Sequence, residues 1–213
     1  MREAMTSSTT ARRTTSGLSV LVAVTPARGM GEDRAAVIET NAGLRVALAD
    51  GAGGTGGGAR AADDAIAAIL AAPEAPRWLD VLREIDRAAA RGPGRCTAVV
   101  VELSAAGLWG GSVGDSGAWL FGDDAIDLTA DQRVKPLVGD GAQPVAFTAP
   151  ALGHRTLVVA SDGLWRYARS AEIAAAARLP TLEEAAAALL ALVRLPSGGL
   201  QDDVGIVLVP ALS

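Results

Sequence analysis

Strand-like and helix-like segments follow one another along this chain in an order that few folds accommodate. Runs of Val, Ile, Leu and Ala bounded by Gly, Pro, Asn or Asp predict strands, and apolar residues repeating at helical spacing predict two pairs of helices. The predicted strands cover residues 18–24, 34–40, 44–49, 97–103, 108–113, 118–121, 156–160 and 204–209. The predicted helices cover residues 59–71, 76–90, 170–178 and 181–195. Strands and helices do not alternate as they do in βαβ units, so we expect an α+β fold. The expected architecture is an antiparallel β-sandwich flanked by helices on both outer faces, in α-β-β-α layers.

The length predicts one domain. A single hydrophobic core commonly spans a chain of 213 residues. We predict a disordered polar tail over residues 1–16 and the folded domain over residues 17–213. Residues 122–151 are rich in Asp, Gly and Pro and show little periodicity, so they are predicted to be a loop.

The start of the chain resembles a targeting signal only in part. Arg12 and Arg13 precede an apolar run over residues 18–24, as in a twin-arginine signal. The run is short, and Pro26 and Arg28 follow it in place of a cleavage site. No apolar stretch approaches the roughly 20 residues of a membrane span. The sequence therefore predicts a cytoplasmic protein without a membrane partner.

Charge and the scarcity of Cys and His exclude several classes of function. A net charge of −5 argues against a nucleic-acid binder, which normally carries a basic face. One cysteine, Cys96, excludes an internal disulfide, and with a single histidine it excludes a zinc cluster. A metal would have to be held by oxygen atoms, which suits Mg²⁺ or Mn²⁺.

Acidic residues recur at the ends of predicted strands, often beside glycine. They are Glu32-Asp33, Asp50-Gly51, Asp115, Asp162-Gly163 and Asp202-Asp203. A carboxylate in such a place is held by rigid backbone and still reaches solvent, and a neighbouring glycine lets the backbone approach closely. Taken singly, an Asp-Gly pair after a strand is more often a simple turn. The positions can converge only if the strand ends share one edge of the sandwich.

Taken together, these motifs resemble the metal-dependent protein phosphatase family of type 2C (PPM), as a small bacterial-type member, over residues 18–209. The resembling segments are Arg28-Gly-Met-Gly-Glu-Asp33, Asp50-Gly-Ala-Gly-Gly54, Gly94-Arg-Cys-Thr-Ala98, Val113-Gly-Asp-Ser-Gly-Ala-Trp-Leu120, Leu128-Thr-Ala-Asp131, Ala160-Ser-Asp-Gly-Leu-Trp165 and Gln201-Asp-Asp-Val-Gly-Ile-Val207. They occur in the family's order, which makes the set far more specific than any one motif.

The resemblance implies an enzyme that hydrolyses phosphoserine and phosphothreonine on proteins with two or three Mn²⁺ or Mg²⁺ ions and a metal-bridging hydroxide. It implies that Asp50 bridges two ions and that the Gly51 carbonyl completes one of them. Asp33 would lie near one ion, and Asp162 and Asp202 near the other. Asp115 would help to bind a third, looser ion, and Arg28 would hold the phosphate. The implied partners are a phosphoprotein substrate and an opposing serine/threonine kinase, and we expect a monomer.

Some positions depart from the family's pattern. Ala52 stands where some members have a histidine that protonates the leaving group, so this step is assigned to a metal-bound water. The single histidine, His154, precedes a predicted strand and is expected on the surface. Gly117 and Gln132 replace an arginine and a histidine. The segment 130–154 is much shorter than the family's usual flap, so a minimal flap and a more open site are expected.

Two other interpretations remain open at this point. Gly51-Ala-Gly-Gly-Thr-Gly56 formally matches the glycine pattern of a dinucleotide-binding fold, which requires a parallel strand soon after the next helix. The other is a catalytically silent relative that acts as a regulatory or binding module. Such proteins usually lack one or more of the metal carboxylates, whereas Asp33, Asp50, Asp162 and Asp202 are all present here.

Overall fold

Two antiparallel sheets lie face to face, with helices covering the outer face of each. The computed structural model describes residues 9–15, 18–53 and 57–211. The first sheet has the order β1-β2-β13-β12-β9-β10, formed by Thr9–Thr15, Leu18–Thr25, Val204–Val209, Thr156–Ala160, Gly117–Phe121 and Ala125–Asp127. The second has the order β11-β8-β7-β4-β3, formed by Val145–Ala149, Gly107–Val113, Ala98–Ser104, Gly43–Ala49 and Arg34–Thr40. A short ladder joins β5 (Gly51–Ala52) to β6 (Arg95–Cys96).

The helices pack in two groups. On the second sheet lie α1 (Gly57–Ala71) and α2 (Trp78–Ala89), whose apolar faces form one cluster with the outer side chains of β4 and β7. On the first sheet lie α3 (Asp162–Trp165), α4 (Ser170–Ala177) and α5 (Leu182–Leu192). No helix in the described part of the chain is both long enough and apolar enough to cross a membrane. The predicted α-β-β-α layering is confirmed.

Burial on both faces explains why the central strands are apolar along their whole length. Every residue of β12 and of β13 is buried. One face of each strand lies in the core between the sheets and the other lies beneath helices. A strand covered on both sides cannot alternate apolar and polar residues without burying polar groups that lack partners.

The second helix of the C-terminal pair begins as its sequence predicts. The Thr181 hydroxyl accepts a hydrogen bond from the Glu184 N–H at 3.2 Å, and the Glu184 carboxylate accepts one from the Thr181 N–H at 3.3 Å. This capping box satisfies two donors that the first turn of the helix would otherwise leave free.

A buried ion pair lies on the second sheet, and its arginine also contacts the end of α1. Arg45 on β4 and Glu102 on β7 are cross-strand partners, their side chains meet at 2.6 Å, and both are 2% exposed. The Arg45 guanidinium also donates to three carbonyl oxygens at the end of α1 and just beyond it, those of Ile69, Ala72 and Pro73. It lies 4.9 Å from the centre of the Trp78 ring. One side chain thus holds the end of α1 to the sheet.

The predicted disordered tail over residues 1–16 is wrong in its second half. Residues 9–15 form β1, which pairs with β2 from Thr9 opposite Val24 to Thr15 opposite Leu18. An edge strand is held largely by backbone hydrogen bonds, so its polar, Thr-rich sequence carries little hydrophobic signal. Residues 1–8, 16 and 17 lie outside the described part of the chain.

The region predicted to be a loop over residues 122–151 contains two strands. In β11 only Phe147 is buried, and β10 has three residues, so neither shows the periodicity of a longer strand. The segment predicted as a minimal flap, 130–154, therefore includes β11. Its Val138 pairs with Cys96 on β6, close to Gly51. Whether this segment acts as a flap stays a prediction.

Candidate functional site

The acidic positions that the sequence singles out converge at one edge of the sandwich. Antiparallel pairing places Arg34 opposite Ala49, and Ala160 opposite Gly117. The Ser161–Asp33 hydrogen bond joins the strand ends of the two sheets. The residue before β3, the residue after β4, the turn before β9 and the second residue after β12 therefore lie at the same edge. These positions carry Asp33, Asp50, Asp115 and Asp162, and Asp202 joins them just before β13. The convergence on which the metal prediction depended is present.

The carboxyl groups are close enough to change one another's ionisation. The Asp50 side chain lies within hydrogen-bonding range of both Asp33 and Asp162. Burial, followed by the charge of Asp33, raises the pKa of Asp50 to about 10. Burial raises the pKa of Asp33 to about 7 against the hydrogen bond from Ser161. The pKa of Asp162 is also raised, first by burial and then by Asp115. This edge cannot carry its full negative charge at neutral pH without a compensating cation.

The acidic residues at this edge offer the oxygen ligands and the negative charge that suit a hard divalent cation. All are carboxylate oxygens, and Gly51, next to Asp50 in the chain, could add a backbone carbonyl, which together is the ligand set that Mg²⁺ and Mn²⁺ prefer. The buried Oδ1 of Asp33 receives no hydrogen bond from the described part of the chain. Within that part, no group of three or more Asp, Glu, His or Cys side chains is already arranged to hold a metal ion. The metal roles of Asp33, Asp50, Gly51, Asp115, Asp162 and Asp202 therefore stay predictions.

Asp33 is fixed by a serine that the sequence analysis did not assign. The fully buried Ser161 hydroxyl donates to Asp33 Oδ2 at 2.7 Å and accepts from the Gly205 N–H at 2.9 Å. Since Ser161 directly precedes Asp162, one short segment at the end of β12 supports two of the candidate ligands. The contact joins residues 128 positions apart, so nothing local in the sequence reveals it.

Asp50 is fixed by a threonine that lies between β6 and β7. The Asp50 N–H donates to Thr97 Oγ1 at 2.9 Å, and the Thr97 N–H donates to the Asp50 carbonyl at 2.8 Å. The Thr97 and Ser116 hydroxyls are 2.6 Å apart, which links Asp50 to the turn that carries Asp115. The Gln132 side chain donates to the Ser116 carbonyl at 2.8 Å, so this departure from the family pattern has a structural role.

Two glycines at the site are required by close backbone approach. A Cβ on Gly51 would lie 2.5 Å from the carbonyl of Gly58 in α1 and 2.9 Å from Glu32 Cβ. A Cβ on Gly163 would lie 1.9 Å from the Asp203 carbonyl oxygen. Glycine beside Asp50 and Asp162 therefore lets α1 and the loop before β13 pack directly against the acidic edge.

The neighbouring residues Asp202 and Asp203 have different roles. Asp203 accepts from the Ala27 N–H at 2.7 Å and from the Glu32 N–H at 2.5 Å, so it holds both ends of the turn that carries Arg28. Asp202 is exposed, and its charge raises the pKa values of Asp33, Asp50 and Asp162. Arg28 is exposed on this turn, whose two ends Asp203 holds. The loop-holding role of Asp203 was missed because it spans 176 positions.

Arg166 is another residue that the sequence analysis missed. Its Nη1 lies 2.9 Å from Asp162 Oδ2; the Arg166 side chain is 57% exposed and that of Asp162 is 13% exposed. The spacing of four residues after Asp162 is the signal that could have indicated the pair, because such residues share one helical face.

The remaining sequence predictions concern residues away from the acidic edge. His154 is exposed and lies 3.6 Å from Asp123, as expected of a surface histidine. All strand pairs in the described part of the chain are antiparallel, which excludes the dinucleotide-binding interpretation. Gly54 to Gly56 of that glycine pattern lie outside the described residues.

Solved structures share this architecture. No protein-family model and no curated protein matches the sequence. The Mycobacterium tuberculosis serine/threonine phosphatase PstP/Ppp matches with a TM-score of 0.74 and 21% identity, over 91% of this chain and 98% of that one. The S. agalactiae serine/threonine phosphatase matches with a TM-score of 0.77 and 18% identity, over 91% of this chain and 100% of that one. The catalytic domain of PstP in complex with 2 manganese ions matches with a TM-score of 0.73 and 23% identity, over 96% and 100%.

The chain is thus an α-β-β-α sandwich with acidic side chains gathered at one edge. More particularly, it has the fold of the bacterial serine/threonine phosphatases, over nearly its whole length. This confirms the fold that the sequence resemblance implied.

Proposed function

We propose that this protein is a small type 2C metal-dependent phosphatase that hydrolyses phosphoserine and phosphothreonine on proteins. The observation that carries the proposal is the convergence of Asp33, Asp50, Asp162 and Asp202, from four separate parts of the chain, on a fold shared with serine/threonine phosphatases. A cluster whose burial and mutual repulsion raise carboxyl pKa values is costly to maintain, and such clusters concentrate at functional sites.

Each residue has a role that its position supports. Asp50 lies between Asp33 on one side and Asp162 on the other, so it is the candidate that two cations would share. Asp33 would hold one cation through its free Oδ1, while Ser161 keeps its Oδ2 in place. Asp162 and Asp202 would hold the other. When bound, the two ions would supply Lewis-acid polarisation of the phosphoryl group and activation of water at neutral pH.

Arg28 is the candidate for orienting the phosphate. Its guanidinium offers two parallel donors to two phosphate oxygens, a geometry that lysine cannot match. Asp203 holds the turn at both ends, which keeps the exposed side chain near the acidic edge before substrate arrives. Because this turn is already held in place, less conformational entropy is lost when the phosphate binds.

The catalytically silent module is the second candidate. The main observation against it is that none of the four carboxylates has been replaced, although their mutual repulsion is unfavourable in the folded protein.

The remaining properties proposed for this protein follow from the family resemblance: Mn²⁺ or Mg²⁺ as cofactor, a bacterial signalling role opposite a serine/threonine kinase, action in the cytoplasm and a monomeric state. Arg12 and Arg13 lie in β1, and the apolar run 18–24 lies in β2, so both belong to the folded sheet.

The test is hydrolysis of para-nitrophenyl phosphate and a phosphothreonine peptide by the full chain with Mn²⁺, with Mg²⁺ and with EDTA. Activity is expected with either ion, none with EDTA, and a loss of at least about 100-fold in Asp50→Asn and Asp162→Asn. Asp123→Asn is the matched control, because Asp123 is 99% exposed at the far end of β9. Folded protein without activity would overturn the enzyme proposal. Calorimetry with Mn²⁺ would then separate a silent metal-binding module from an incorrect family assignment.

A further inference from the structure

One permanent positive charge lies against the acidic edge. Arg166 follows α3 directly, and its N–H donates to the Asp162 carbonyl at 2.9 Å, so the two residues sit one helical turn apart. On such a turn their side chains share a face. The guanidinium accordingly meets Asp162 Oδ2 at 2.9 Å.

The same guanidinium also lies within the field of Asp115. The charge of Asp115 is the largest electrostatic cause that raises the pKa of Asp162, and it contributes to raising the pKa of Arg166. Asp115 comes from the turn between β8 and β9, on a different part of the chain from α3. Arg166 therefore pairs with Asp162 within the field of Asp115, where its positive charge offsets the repulsion between the two carboxylates.

We propose that the Arg166 guanidinium is a built-in cation on the Asp115 side of the site, so that this protein binds two divalent ions and has no third ion at Asp115. The inference rests on the proposed function. A third ion held by Asp115 would have to enter beside a fixed positive charge and compete with it for the oxygens of Asp162. The negative charge on the Asp115 side of the site would then be offset by Arg166 of the same chain, whatever the metal concentration.

In this arrangement Arg166 is a positioning residue. It binds Oδ2 of Asp162, whose side chain also lies within hydrogen-bonding range of Asp50. An outer partner that orients a ligating carboxylate commonly affects metal affinity. The expected consequence is that activity rises with Mn²⁺ in one saturating phase, without a second phase at high Mn²⁺ concentration.

The test counts bound Mn²⁺ ions by equilibrium dialysis and by the loss of the free-ion electron paramagnetic resonance signal, on the full chain. The wild-type protein is expected to bind two ions. Arg166→Asp is expected to bind a third, weak ion, because it replaces the cation with another carboxylate beside Asp115 and Asp162. Arg166→Lys is expected to keep two. Arg87→Asp, the same charge change at an exposed position on α2, is the matched control and should also keep two.

Three bound ions in the wild-type protein, or an unchanged count of two in folded Arg166→Asp, would overturn the inference and leave the proposed phosphatase standing. No Mn²⁺ binding by folded wild-type protein would overturn both. If Arg166→Asp does not fold, Arg166→Gln replaces it. A third ion is then expected in Arg166→Gln and not in Arg166→Lys, and two ions in both variants would refute the proposal.

Discussion

Replacing Arg45 with methionine should destabilise the protein more than any single exposed substitution. Methionine keeps the length and the apolar contact with Trp78 but removes the guanidinium. Glu102, 2% exposed, then loses its partner at 2.6 Å, and the carbonyls of Ile69, Ala72 and Pro73 lose their donor. Breaking a buried pair by removing one member costs about 3–5 kcal/mol. The lost carbonyl bonds overlap with this cost because all of them depend on one group.

A loss of about 4 kcal/mol corresponds to a fall of roughly 8–16 °C in Tm, since a chain of this size shifts by roughly 2–4 °C per kcal/mol. The loss should be smaller at pH 5 than at pH 8. Burial already raises the pKa of Glu102, with Arg45 opposing it. Without Arg45 the carboxyl of the folded state holds its proton to still higher pH, so the variant loses stability as rising pH forces ionisation.

The measurement is urea unfolding followed by tryptophan fluorescence at both pH values, for Arg45→Met, Glu102→Leu and the double variant. Removing both charges should cost less than removing Arg45 alone, because no unpaired charge remains buried. Arg83→Met is the control, since Arg83 pairs with Asp80 at 3.1 Å with both side chains about half exposed, and it should change stability by less than about 1 kcal/mol. A cost below about 1 kcal/mol for Arg45→Met, or no coupling in the double variant, would refute this account of the pair.

Three further outcomes follow from the site. Mn²⁺ at about 100 times its Kd should stabilise the wild-type protein by about 2.7 kcal/mol in thermal unfolding, and Asp50→Asn should lose most of that gain. Thr97→Val should lose about 1–3 kcal/mol of stability and part of the activity, because it removes the acceptor for the Asp50 N–H and the bond to Ser116, whereas Thr97→Ser should retain both. In EDTA, stability should fall as pH rises from about 4 towards 7, since the folded protein retains the proton of Asp33, whose pKa is raised from 3.8 to about 7, and Asp33→Asn should flatten this dependence. A slope that is unchanged in Asp33→Asn would mean that another group causes it.

The roles of neighbouring residues show how the site is supported. Asp33 and Asp203 accept hydrogen bonds from segments distant in sequence, from Ser161 and from the Arg28 turn, and the Asp50 backbone exchanges two hydrogen bonds with Thr97. Such support fixes the carboxylates before any ligand binds, and it offsets part of their repulsion. The acidic edge is therefore built into the ends of the strands and not left to mobile loops.

The sequence by itself determined the layered architecture and the identity of the acidic positions. Buried strands such as β12 and β13 are visible as unbroken apolar runs, and the cap at Thr181 is visible because its partners lie three residues apart. These signals are local, so they depend only on the order of neighbouring side chains. The edge strand β1 and the short strands β10 and β11 escaped prediction because backbone pairing defines them, and Phe147 is the one buried side chain in β10 and β11.

Only the tertiary structure decided which of the acidic residues meet and what holds them. Nothing local distinguishes Asp202, with its exposed carboxylate, from Asp203, which holds a loop 176 positions away. The pairing of Asp33 with Ser161 and the influence of the Asp115 charge on Asp162 and Arg166 likewise depend on the folded arrangement of the strands. Hydrogen bonds and charges act across space within a few ångströms, and only the folded chain brings residues so far apart in sequence to that distance.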